Sequence, residues 1–247
     1  MSDSVVSSVR AHLVSSIEGP DPTAASVTFL GVEPLDVLRF ESPDGLVRYV
    51  TLGCSRHPMG DPNELVADPT RGPRAELVLT LRGGTGVASG VARTLAVLAA
   101  APSVEGVVLL EDALLDLGEP LWKDTAFTAV LLGDSGIADL TLPEPFDPVR
   151  FLGVVPLTGT EAAWVRLRGA EAAGSVDRGG DRHSRSAPFR CLALAAPALC
   201  PSDHSACTRM SAKFSRLTRT VRENAFVTIG SAILPNTPPS PLSLSSR

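Results

Sequence analysis

Val5, Val9, Leu13 and Ile17 recur every four residues, with Val6 and Val14 beside them, which places one apolar stripe along a helix capped by Asp3 or Ser4. Glu18-Gly19-Pro20 closes that helix. Residues 26–31 and 36–41 read as two antiparallel strands around a turn at Pro34, and Ser42-Pro43-Asp44-Gly45 turns the chain into LVRYVTLGCSRHPM, residues 46–59. There Leu46, Arg48 and Thr51 are set against Val47, Tyr49 and Val50, before Gly53 opens a short polar turn closed by Pro58 and Met59. The pattern predicts a strand that delivers a tight, solvent-facing turn.

Residues 60–73 are polar and rich in proline, so they read as a loop, and RAELVLTL at 74–81 alternates again as a strand. A glycine turn, Gly83, Gly84 and Gly86, precedes a small-residue helix over 87–101. Apolar runs at 104–110 and 126–133 read as buried strands separated by an acidic loop with Trp122 near its end. Residues 151–157 form another strand candidate, and Thr158 and Glu161 have capping-box spacing at the start of a helix over 158–167. Strands outnumber helices and do not strictly alternate with them, so the fold class is α+β: a mixed, largely antiparallel sheet with flanking helices.

After Ala173 the periodicity fails. GSVDRGGDRHSRSAPFR has no period, CLALAAPALC is broken by Pro197, and PNTPPSPLSLSS is low in complexity. The expected organisation is one domain over 1–173 and a disordered tail over 174–247, with at most a weak helix near 210–225. Charge divides at the same point: residues 1–173 carry 12 Lys and Arg against 23 Asp and Glu, and residues 174–247 carry 10 against 4, which add to the formal net charge of -5. The abrupt change, inside the helical phrase GAEAA, also suits a shifted reading frame in a GC-rich gene, which resequencing across codons 165–180 decides.

Composition narrows the class further. A hydrophobic content of 44% supports a core that, with 4% aromatics, must be built from Val, Leu and Ala. No secretory signal or membrane-spanning run is evident, so a cytoplasmic location is expected. One of four cysteines lies in the patterned part, which implies no disulfide framework there. The tail arginines lie on no patterned element and lack interleaved aromatics, which argues against nucleic acid. The acidic body suits a basic protein partner or simple solubility.

Three constellations invite a chemical reading. Cys54 and His57, three residues apart, offer a thiol and a base, but an activated thiolate also needs held geometry and an orienting group. The Gly83–Gly86 turn precedes a helix as a phosphate loop would, yet matches neither the dinucleotide nor the P-loop fingerprint. Cys191, Cys200, His204 and Cys207 lack zinc-knuckle spacing. A small hydrolase or nucleotide-binding enzyme using Cys54 and His57 or the glycine turn is therefore the alternative reading, and no cofactor or metal is expected.

TLGCSRHPM at 51–59, RAELVLTL at 74–81 and FLGVVPLTGTEAAWVRLRGAEA from Phe151 together resemble the suppressor of fused domain family over about residues 25–172. Thr51, Gly53, Ser55, Met59, Arg74, Glu76 and Leu77 stand where the family phrase wants them; Cys54 replaces a more usual methionine. The resemblance implies a noncatalytic α+β domain that binds another protein, a transcription factor in animal members and a toxin in bacterial members of immunity type. It marks Thr51, Gly53, Ser55, Arg56, His57, Met59, Arg74 and Glu76 as motif or partner-binding residues, with Met59 as an apolar anchor and Arg56 and His57 exposed.

Overall fold

The computed structural model describes residues 2–29, 31–60, 68, 70–82, 90–169 and 225–229. Its elements are helices α1 (Ser2–Ser16), α2 (Val91–Glu105) and α3 (Gly159–Arg168), and strands β1 (Thr23–Phe29), β2 (Leu35–Glu41), β3 (Leu46–Leu52), β4 (Arg74–Arg82), β5 (Leu114–Asp116), β6 (Phe127–Asp134), β7 (Val149–Thr158) and β8 (Ala225–Ile229). The strands form one sheet in the order β5-β6-β7-β4-β3-β2-β1-β8. The β4–β7 pair is parallel and every other pair antiparallel, giving the mixed, largely antiparallel sheet that the sequence predicts.

Both faces of the sheet are covered, and period-two alternation assigns each strand residue to one of them. Val37, Val47, Leu77, Leu79, Leu152 and Val154 pack with Leu95, Val97 and Leu98 of α2. Their neighbours Leu38, Val50, Val78 and Phe151 turn the other way and meet Val5, Val9 and Leu13 of α1 and Ile17 just after its end. On that same side, farther along β6 and β7, Ala129, Leu131 and Leu157 receive Ala162 and Val165 of α3. The four-residue stripe of α1 is thus buried over its full length, as its spacing predicts. The helix begins at Ser2, two or three residues earlier than a cap at Asp3 or Ser4 would allow.

Helix α3 starts where its capping box places it: the Glu161 amide donates to Thr158 Oγ1 at 3.3 Å, and Glu161 accepts from the Thr158 amide at 2.7 Å. Helix α2 extends four residues beyond the expected end, past Pro102. It stops at left-handed Gly106, whose N–H donates to the Pro102 carbonyl at 3.0 Å. The run 104–110 is not a strand. Its first residues finish α2, and Val107 and Leu109 are buried in extended chain outside the sheet. The paired strand is β5, inside the expected acidic loop.

Strand β8, in antiparallel register with β1 from Ala25↔Ile229 to Phe29↔Ala225, comes from the segment after Ala173. The helix expected near 210–225 and the glycines Gly83, Gly84 and Gly86 lie outside the described residues. Among the described residues no helix is long and apolar enough to cross a membrane.

Candidate functional site

Strand β4 carries Arg74, Glu76 and Val78 on the side that faces α1, and its ladder with β3 ends at Val50↔Val78. Beyond that point the chain from Thr51 to Ser55 folds over Glu76 rather than out to solvent. The Glu76 carboxylate is fully buried and accepts four hydrogen bonds. Thr51 Oγ1 donates to one oxygen at 2.6 Å; the other receives the Gly53 amide at 2.9 Å, the Ser55 amide at 3.0 Å and Ser55 Oγ at 2.6 Å. Thr51 Oγ1 in turn accepts from the Leu77 amide at 2.8 Å, which fixes its own proton toward Glu76.

Burial pushes the Glu76 carboxyl up, and the donors from Ser55, Thr51 and Gly53 oppose the shift. Four donors and no acceptor suit the ionised form. Gly53 makes the geometry attainable, since its φ of 123° is closed to ordinary L residues and a Cβ there would stand 3.1 Å from Leu35 Cδ2.

Arg74 is the second buried charge, 1% exposed. Its Nη1 donates to the carbonyls of Ser55 at 2.7 Å and Arg56 at 3.0 Å, and its Nη2 to the carbonyl of Thr70 at 3.1 Å. Its guanidinium lies 5.2 Å from the centre of the Phe146 ring. Burial lowers its pKa, with the charge of Asp147 opposing. Two residues apart on one strand, Glu76 thus holds the amides of the turn and Arg74 its carbonyls.

The expectation of a solvent-facing turn is therefore corrected: Thr51, Gly53, Cys54 and Ser55 are all buried, because a carboxylate placed in the interior must be surrounded by donors. Met59 is buried as well, its sulfur accepting from the Leu109 amide at 3.3 Å, so it anchors the core rather than a partner. At the surface the motif offers Arg56, half-buried, and exposed His57. Arg56 Nη1 lies 2.7 Å and His57 Nε2 3.3 Å from Glu33, a residue no motif marked. The Arg56 hydrogen bond and charge hold the Glu33 carboxyl below its ordinary range despite some desolvation.

Cys54 and His57 do not form a pair. Cys54 packs in the α2-side core, and burial, followed by the charge of Glu76, pushes its thiol well up, the reverse of what a nucleophile needs. His57 turns to Glu33. Among the described residues no cluster of three metal-ligating side chains occurs, and Cys191, Cys200, His204 and Cys207 lie outside them.

Two surface features were not marked by sequence. Exposed Glu111 and Asp112 before β5 and exposed Asp134 and Asp139 at and after the end of β6 lie at one end of the sheet; Arg150 pairs with Glu111, and its Nε lies 3.8 Å from Asp139. On the outer face of α3, Trp164 and Leu167 are 48% and 82% exposed, with Arg168 stacked 4.8 Å over the Trp164 ring.

Comparison with solved structures finds low similarity. A protein described as a suppressor of fused homologue from Neisseria gonorrhoeae FA 1090 is 15% identical, with a TM-score of 0.47, covering 73% of this chain and 91% of that one. A Sufu–Fu complex gives 12% identity and a TM-score of 0.47 over 72% of this chain and 83% of that one. No curated protein matches. The family model for suppressor of fused protein (SUFU) matches residues 31–182, more than half of the 247-residue chain. With Thr51, Gly53, Ser55, Arg74 and Glu76 gathered in one buried network inside that match, the chain belongs to the suppressor of fused family.

Proposed function

We propose that this chain is a noncatalytic protein-binding domain that acts as an immunity or sequestering protein, neutralising a partner such as a basic toxin domain. Family membership supports the binding role. The observation that carries the basic partner is the acidic end of the sheet, where Glu111, Asp112, Asp134 and Asp139 are exposed and Arg150 is set against Glu111 and Asp139. Exposed carboxylates of one sign raise the encounter rate with a positive surface and disfavour acidic competitors. The polar residues of the turn contribute indirectly: buried around Glu76, they hold the scaffold, and recognition falls to surface groups such as half-buried Arg56, exposed His57 and the acidic end.

The direct test is rescue. Co-expression with a toxin-like protein encoded beside this gene is expected to restore growth of a sensitive host. Glu111→Lys with Asp139→Lys is expected to weaken that rescue while leaving the unfolding curve within about 0.5 kcal/mol, since exposed ion pairs contribute little. Absence of rescue by the unaltered chain contradicts the immunity reading.

A further inference from the structure

Strand β8 stands at the end of the sheet order, with β1 as its one strand neighbour among the described residues. It pairs through five residues, Ala225 to Ile229, opposite Phe29 to Ala25. Strand β1 does not depend on that ladder for its place: Val27 and Phe29 are buried in the α2-side core, and β1 pairs with β2 from Thr23↔Arg39 to Val27↔Leu35. The family match ends at residue 182, so β8 is carried to the sheet from beyond the matched domain. Between the end of α3 at Arg168 and the start of β8 at Ala225 lie 56 residues, 169 to 224.

An exposed edge strand presents a row of unpaired N–H and C=O groups that accept another extended segment, and proteins cover such edges to prevent uncontrolled pairing. A short strand paired on one side, joined by a long connection, gains its local concentration from the tether, on the order of millimolar or below for a connection of this length. The segment itself is suited to the role: AFVTI contains neither proline nor charge and is rich in β-branched and aromatic residues.

We infer that the β1 edge is a strand-docking site which the chain's own β8 occupies reversibly in cis, as a detachable cap. The ligand class is an extended, uncharged segment running antiparallel to β1. This inference goes beyond the proposed function and does not rest on it.

The test uses the full chain. Successive strand residues direct their N–H groups to opposite sides, so the double variant Phe226→Pro with Val227→Pro removes at least one donor facing β1. Hydrogen exchange across residues 23–29 is expected to quicken tenfold or more in this variant. A synthetic peptide of residues 223–231, ENAFVTIGS, is expected to restore protection there and to bind the unaltered chain at least tenfold more weakly. Unchanged exchange in the variant, or quickened exchange that saturating peptide does not slow, overturns the inference. A second measurement needs no weakened strand: with Thr28→Cys and Phe226→Cys, which face each other in register, mild oxidation is expected to yield a bridge between these two positions within a monomer. No such bridge, or one found in dimers alone, overturns it.

Discussion

Glu76 is the residue on which the turn after β3 depends, because two backbone amides and two hydroxyls meet at one carboxylate. Glu76→Ala leaves buried donors at Thr51, Gly53 and Ser55 without an acceptor, and it is expected to lower the unfolding free energy by about 3–5 kcal/mol, read by denaturant titration. A loss below about 1 kcal/mol would mean that water replaces the carboxylate at little cost. Cys54 gives a pH-dependent reading of the same neighbourhood. Its thiol is held above its ordinary value in the folded chain, so its contribution to stability is complete below the unfolded thiol's pKa and is lost as pH rises toward the folded one. Stability is therefore expected to decline above about pH 8.5, and iodoacetamide is expected to spare Cys54 in the native chain at pH 8 while labelling it after unfolding. Labelling of native Cys54 would show an accessible thiolate. The residues of this network were legible through the family resemblance, which marks a Thr, a Gly and a Ser before an Arg-x-Glu strand. Their inward direction was not, since polar residues at a strand end read as exposed until a buried carboxylate is there to receive them.

At the scale of elements, the β6–β7 pair shows how closely packed backbone sets residue choice. Gly153 pairs with Gly133, and a Cβ on Gly153 would lie 2.6 Å from the Asp134 carbonyl oxygen, with no side chain to move aside. Gly153→Ala is expected to cost about 1–3 kcal/mol and to quicken hydrogen exchange in β6 and β7; an unchanged melting temperature would contradict this packing. Strands with a ladder partner on each side, such as β4 and β7, were legible from alternation, and α3 from its capping box. The run 104–110 misled because alternation reports burial, not pairing. Val107 and Leu109 point inward, yet the Leu109 amide is taken by Met59 Sδ instead of a neighbouring strand. Strand β8 was illegible for the opposite reason: five residues in a segment without periodicity give no signal until β1 offers an edge.

The whole molecule combines a sheet covered on both faces with an acidic exterior. Its body, residues 1–173, carries a charge balance of -11, twelve cations against 23 carboxylates. The buried charges of Arg74 and Glu76 serve the interior, and in the proposed function the exposed carboxylates of Glu111, Asp112, Asp134 and Asp139 are what a partner meets first. Fold class and family were both within reach of the sequence, because core alternation and the Arg74–Glu76 strand are local patterns. The partner was not, because the face proposed to bind it is assembled from segments distant in sequence, residues 111–112 and 134–139. The measurement that bears most directly on the account is affinity capture with the tagged full chain in extracts of its native cells, followed by reconstitution from purified components. A protein of basic surface recovered in stoichiometric amount, whose complex weakens steeply with salt, is the predicted result. Failure to recover any stoichiometric protein, together with a melting temperature raised by a nucleotide, would contradict it.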